Sequence, residues 1–248
     1  MLHIFADPSE VQGDLLTVTG PEVNHIRNVM RLKPGEEISV SIGEDGKEYR
    51  YGIETLEEDR VICRLRFVKD KDVELPVKVL LFQGLPKSDK MDLIVQKAVE
   101  LGAAEIIPVS MQRCVVKLDA ARAGKKIQRW QTIAESAASQ SRRGVIPRVL
   151  PPMTMEEAVA YAEQNTQVRV LPYELQKDDG STKDYLESIR AGQAVSIFIG
   201  PEGGFTPEEV ELARQAGIRP ISLGPRILRT ETAGLAFLSW LIYILEIH

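Results

Sequence analysis

The chain has 248 residues, 44% of them apolar, which suits one large domain or two modest ones around a sizeable core. A net charge of −5 argues against a protein that coats nucleic acid over its whole surface. Two cysteines, Cys63 and Cys114, and three scattered histidines, His3, His25 and His248, give no spacing for a disulfide framework or a structural zinc, so no metal is expected.

Residues 1–70 read as a small β-rich unit. A helix is predicted over Glu22–Leu32, ended by Lys33-Pro-Gly35. Ile38–Ile42 and Glu48–Glu54 flank Gly43-Glu-Asp-Gly46, a hairpin signal. Arg60–Phe67 alternates, with Val61, Cys63, Leu65 and Phe67 on one face and Arg64 and Arg66 on the other. Short strands of this kind suit a barrel-like module. A polar linker follows at 71–76, ending in Pro76.

From residue 77 to 248 the grammar is that of an α/β domain. The apolar strands Val77–Phe82, Glu105–Val109, Val168–Leu171, Val195–Ile199 and Pro220–Leu223 alternate with helices. Those helices are predicted after Gly84-Leu-Pro-Lys-Ser-Asp89 to Leu101, around Lys125–Ser141, and over Met155–Gln164, Lys183–Ile189, Pro207–Ala216 and Glu231–Glu246. The pattern implies a mostly parallel sheet with helices on both faces. The amino terminus carries early acids and no long apolar stretch, and Gly234–Leu245 is too short to span a bilayer, so a cytoplasmic protein is expected.

Charge is unevenly spread. Between Arg113 and Arg148 nine basic residues face only Asp119 and Glu135, giving +7 against −12 for the rest. Such a band is either a solvated helix face or a footprint for phosphates.

The stretch Ile199-Gly-Pro-Glu-Gly-Gly-Phe205 lies between a strand and a helix. Thr206, Pro207 and Glu209 form a capping signal, so the first amides of that helix already have partners. With Glu202 beside them and no lysine, the loop is a poor phosphate cradle. It is either a plain turn or a place where bare backbone reads the edge of a flat ligand such as adenine. Two more loops lie beyond carboxyl ends of strands: Leu171-Pro-Tyr-Glu174 and Gly224-Pro-Arg-Ile-Leu-Arg-Thr-Glu-Thr-Ala233. In a parallel sheet such loops can converge on one crevice, here suited to a nucleoside without a phosphate chain.

These three stretches, LPYE, IGPEGGFTPEE and LGPRILRTETA, in this order, resemble the SPOUT-class RNA methyltransferases, and more narrowly the RsmE family, which methylates N3 of one uridine in 16S ribosomal RNA. His25-Ile-Arg-Asn-Val-Met-Arg31, Gln83-Gly-Leu-Pro-Lys87 and Glu100-Leu-Gly102 extend the resemblance over nearly the whole chain. The resemblance implies S-adenosylmethionine as cofactor and a deep trefoil knot in the carboxyl-terminal domain. It also implies a homodimer through the terminal helix and a PUA-like amino-terminal domain that helps bind RNA. The implied cofactor positions are Leu171, Pro172, Ile199, Gly200, Pro201, Glu202, Gly203, Gly204, Leu223, Gly224, Ile227, Leu228, Thr230 and Ala233. The terminal helix supports the dimer on its own account. From Leu235 to Leu245 only Ser239 is polar, so the helix needs cover on every side, from the sheet and a second copy or by complete burial within one chain.

For RNA the expectation names His25, Arg27, Arg31, Arg113, Arg142 and Arg143, with solvation as the plainer alternative for each. Arg27 and Arg31, four apart, would share a helix face. Arg142 and Arg143 would project from the end of the long helix. Uracil N3 carries a proton, so the reaction needs a base or cations that stabilise the uracil anion. Arg229 and Glu231 are the candidate catalytic residues, with helix-start capping as the competing role for Glu231. Arg226 is a second candidate cation. Three other readings stay open: a non-catalytic ribosome-assembly factor, a nucleotide-dependent oxidoreductase, and a methyltransferase with a ribose 2′-hydroxyl or guanine as acceptor.

Overall fold

The computed structural model describes residues 1–43, 45–70, 73–176 and 181–247; His248 and part of the expected linker lie outside these. The chain forms two compact units. The first is Met1–Glu74 together with Ala138–Ile146, and the second is Leu75–Ala137 with Pro147–His248. Residues 138–146, expected to belong with the carboxyl-terminal domain, therefore fall in the first unit.

The first unit is a six-stranded sheet. Its strands are β1 (His3–Ala6), β2 (Val11–Gln12), β3 (Leu15–Thr19), β4 (Glu37–Ile42), β5 (Lys47–Leu56) and β6 (Arg60–Asp70). Their order is β1-β4-β5-β6-β3-β2, with β1 parallel to β4 and the other pairs antiparallel. Among the described residues β1 and β2 stand at the two ends of this strand path. The hairpin is present as β4–β5. Leu16, Ile26, Ile38, Val40, Tyr51, Ile53, Val61 and Cys63 form a fully buried core. Phe67, expected to face inward, is half exposed because β6 runs on past that core.

The early helix is also shorter than predicted. It is α1 (Pro21–Asn24), continued by a single π-helical turn over His25–Val29. The amide of Met30 reaches back five residues to the His25 carbonyl, which widens the turn. Arg31 leaves it at φ 54°. Val23 and Ile26 are the buried anchors, and a segment this short takes its shape from them rather than from helix propensity.

The second unit holds β7 (Lys78–Gly84), α2 (Lys90–Glu100), β8 (Ala103–Ser110), α3 (Ala120–Gln140), β9 (Arg148–Val149), β10 (Met153–Thr154) and α4 (Met155–Asn165). Then come β11 (Val168–Pro172), α5 (Ser181–Glu187), β12 (Ala194–Ile199), α6 (Pro207–Gln215), β13 (Arg219–Ile221) and α7 (Thr230–Leu245). Every strand pair is parallel, in the order β10-β8-β7-β12-β11-β13, with β9 beside β8. Leu81 packs on Gly234 of α7, and the next residue, Phe82, packs on Tyr161 of α4. Successive strand residues face opposite ways, so α7 and α4 cover opposite faces. α2 and α5 pack with α7, and α4 packs with α6. The central strands β7 and β12 are buried on both faces, with Phe82 stacked on Phe198 at 4.3 Å. Among the described residues no helix is long and apolar enough to cross a membrane.

Candidate functional site: a cavity at the carboxyl ends of three adjacent strands

β12, β11 and β13 are neighbours in the sheet, so the loops that leave their carboxyl ends stand side by side. They enclose a cavity of about 430 Å³. Of the fourteen expected cofactor positions, twelve line it: Pro172, Ile199, Gly200, Pro201, Glu202, Gly204, Leu223, Gly224, Ile227, Leu228, Thr230 and Ala233. Leu171 and Gly203 do not. Leu171 is fully buried in the sheet, and Gly203 turns outward onto Arg113.

The loop after β12 is held at both ends. Thr206 and Glu209 cap each other's amides at the start of α6, and Glu209 also accepts from the Gln112 amide at 2.7 Å. Arg113 donates to the Gly203 carbonyl at 2.9 Å, so this expected RNA contact braces the loop. Within the loop, a Cβ on Gly200 would lie 3.2 Å from the Gly204 backbone, and Gly204 sits at φ 68°. The turn thus closes only as bare backbone, which leaves peptide groups rather than side chains to face a ligand. The volume and this lining fit an adenosine-sized molecule.

Sequence reasoning missed two residues that tie the loops together. Gln83 is fully buried at the end of β7 and donates to the Thr230 hydroxyl at 2.8 Å; Thr230 donates to the Gly200 carbonyl at 2.7 Å. A glutamine closing the apolar run Val77–Phe82 was the available signal. Lys90, first residue of α2, sits 3.0 Å from Glu202 and 3.1 Å from Glu231. A cation at a helix start opposes the helix dipole and points to anions supplied from elsewhere.

Two carboxylates of the pocket, Glu231 and Glu202, are poor proton acceptors. At Glu231 the bond from its own amide, with Lys90 and the Arg229 charge, outweighs desolvation and holds the carboxyl below its ordinary value. Burial pushes Glu202 up, but its own amide, Lys90 and the Lys87 amide outweigh it, and the net shift is downward. Arg226 and Arg229 line the cavity, are exposed, and have no ion-pair partner among the described residues.

The other expected RNA residues are scattered in role. His25 lies 3.7 Å from Glu22. Arg27 borders a shallow cleft that also holds Glu58 and Asp59. Arg31 is exposed but beyond the helical turn, so it does not share a helix face with Arg27. Arg142 is exposed, in the left-handed conformation that closes α3. The Arg142 and Arg143 amides bond to the Ser139 and Ala138 carbonyls, a Schellman ending. Arg143 corrects the expectation. It is buried, and its guanidinium is engaged by Glu74, whose carboxylate also takes the Gly144 amide at 2.9 Å. A side chain so occupied is not offered to a phosphate.

A family profile described as an RNA methyltransferase domain matches residues 73–242, and one described as an RNA methyltransferase PUA domain matches 18–66. The Bacillus subtilis ribosomal RNA small subunit methyltransferase E is 40% identical over 235 residues, covering 93% of this chain and 91% of that protein. The chain belongs to this methyltransferase family. The crystal structure of a ribosomal RNA small subunit methyltransferase E from Neisseria gonorrhoeae bound to S-adenosyl methionine has a TM-score of 0.83 at 34% identity, over 98% of both chains. A methyltransferase from Legionella pneumophila in complex with the same cofactor also scores 0.83, at 33% identity over 97% of this chain and 96% of that one. The family's fold here is a parallel α/β sheet with a separate PUA-like unit.

Proposed function

We propose that the chain transfers the methyl group of S-adenosylmethionine to N3 of a uridine in 16S ribosomal RNA, using the cavity at the ends of β11, β12 and β13. The observation that carries this is the convergence of three loops, one of them closed as bare backbone, on one adenosine-sized space, in a chain of this family. When bound, the cofactor supplies an already activated methyl on sulfur. The loops position it, with Gly200, Gly204 and Gly224 offering backbone and Ile227 and Leu228 offering apolar contact.

The protein's own task is the acceptor. Their own backbone amides, with Lys90, hold Glu202 and Glu231 below the ordinary carboxylate value, so neither is matched to take a proton near neutral pH. Arg226 and Arg229, without an ion-pair partner among the described residues, line the same cavity and stabilise the uracil anion, so that the N3 proton passes to solvent water before the methyl is transferred. Arg229 thereby has the catalytic role, and Glu231 a positioning one. Uridine is met unpaired, because its N3 edge is hidden in a duplex. The exposed Arg142 and Arg31, with the half-buried Arg27 and His25, supply the polar contacts for the flanking RNA, within residues 1–70 and the end of α3.

The homodimer rests on α7. One side is buried through Phe237, Leu238 and Leu241, while Tyr243 is 67% exposed and Trp240, Ile242 and Ile244 are half-covered. An apolar helix left this open is supported as a contact with a second copy. The trefoil knot of residues 77–248 is supported by the resemblance that LGPRILRTETA carries. The small ribosomal subunit is the substrate particle and the cytoplasm the compartment.

The test is mass spectrometry of 16S RNA from cells with and without the gene, followed by methylation of the deficient subunits by purified protein. An N3-methyluridine that disappears and is restored supports the assignment. A 2′-O-methyl or methylguanosine in its place refutes it.

A further inference from the structure

Two segments that wall the cavity, the loop after β12 and the start of α7, are joined twice. The inner join is neutral and buried: Gln83 to the Thr230 hydroxyl, and Thr230 to the Gly200 carbonyl. The outer join is ionic and partly exposed. The Lys90 ammonium lies 3.0 Å from Glu202 and 3.1 Å from Glu231, and Glu202 also accepts from the Lys87 amide at 3.1 Å. All three side chains are between 21% and 29% exposed, so they are screened by solvent but not dissolved in it.

The charges around this join are few. Glu202 comes from the loop after β12, and Glu231 and Arg229 come from the start of α7. Asp92, two residues along α2, is taken by Arg129 and by the Trp130 indole at 3.1 Å. Two carboxylates that both contact one ammonium are close neighbours. Without the ammonium they repel each other, and the repulsion drives the two segments apart.

We propose that Lys90 is a positioning residue for the methyl-donor pocket: its ammonium holds the loop after β12 and the first turn of α7 at the spacing that the cofactor requires. This rests on the reading of the cavity as the cofactor site. Lys90 itself moves no proton and touches no reacting atom. It converts a repulsive pair of loop anchors into an attractive one. The inner Gln83–Thr230 join sets the fold of this corner, and the outer one sets how tightly the walls close.

The test is calorimetric titration of the full chain with S-adenosylmethionine, with thermal melting alongside each variant. Lys90→Met is expected to weaken binding about tenfold, and Lys90→Arg to stay within about threefold of wild type. Adding Glu231→Gln to Lys90→Met removes the repulsion and is expected to recover most of the lost affinity. High salt is expected to improve binding by Lys90→Met while leaving or slightly weakening wild type. A packing role alone predicts neither the charge rescue nor the opposite salt response. If wild type binds and Lys90→Met binds equally well, the proposal fails while the pocket reading stands. It also fails if the affinity lost in Lys90→Met is not recovered by Glu231→Gln. If the wild-type chain binds no S-adenosylmethionine, the pocket reading fails and takes the proposal with it.

Discussion

Gly84→Ala tests whether the cofactor loop is set by contact with the strand beneath it. Gly84 ends β7 in full burial, and an added Cβ would lie 2.7 Å from both the nitrogen and Cδ of Pro201 and 2.9 Å from the Met111 sulfur. The sulfur can swing aside. Pro201 cannot: it is buried, and its carbonyl holds the Gly204 amide at 2.9 Å within the loop. Forcing one methyl into such a place costs about 1–3 kcal/mol. If the loop yields, the cost is paid in the bound state, and S-adenosylmethionine affinity falls roughly 5- to 150-fold. If the loop holds, the cost appears as a melting point lower by about 2–4 °C per kcal/mol for a chain of this size. Calorimetry and thermal melting together capture both routes. Gly124→Ala is the control: it lies inside α3 with nothing within 4 Å of its Cβ, and is expected to stabilise by about 0.4–1 kcal/mol. A Gly84→Ala protein with wild-type affinity and wild-type melting refutes the argument.

Arg229→Gln is expected to lower single-turnover methylation about 100-fold with little change in cofactor affinity, as for loss of a donor to a developing anion. Glu231→Gln is expected to keep most of the rate; equal losses in the two would restore Glu231 as a base. Arg142→Gly is expected to hold or raise stability, because it removes a side chain from a left-handed position, while the salt dependence of RNA binding falls by about one ion. Arg143→Ala is expected instead to cost about 1–3 kcal/mol in denaturant unfolding, because Glu74 keeps only its backbone amide partners, with the RNA salt slope unchanged. Burial pushes the Cys63 thiol from 9.0 up to about 12. The folded state therefore keeps it protonated where the unfolded chain ionises, and stability from this source, complete below pH 9, is lost between pH 9 and 12. Cys63→Ala should flatten the alkaline stability profile in that window, and a profile of unchanged slope counts against the burial argument.

The parallel sheet and the three loops that line the cavity were legible because each signal was local. Apolar runs marked β7, β11 and β12, a capping box fixed the start of α6, and glycines marked where backbone must turn tightly. Twelve of the fourteen positions that the resemblance implied for the cofactor line one cavity at the ends of those loops. The early helix was misread because Val23 and Ile26, buried in the first unit, impose a π turn that no propensity encodes. Arg143 was misread for the same kind of reason: its partner Glu74 is distant in sequence, so nothing near it in the chain distinguishes a buried ion pair from a phosphate contact. Lys90 and Gln83 act only where β7, α2, the loop after β12 and α7 meet. The sequence by itself thus determined which segments are strands and which loops are built of bare backbone, since those follow from near neighbours. Only the tertiary structure decided which charges meet, because an ion pair depends on distance in space and sequence separation does not report it.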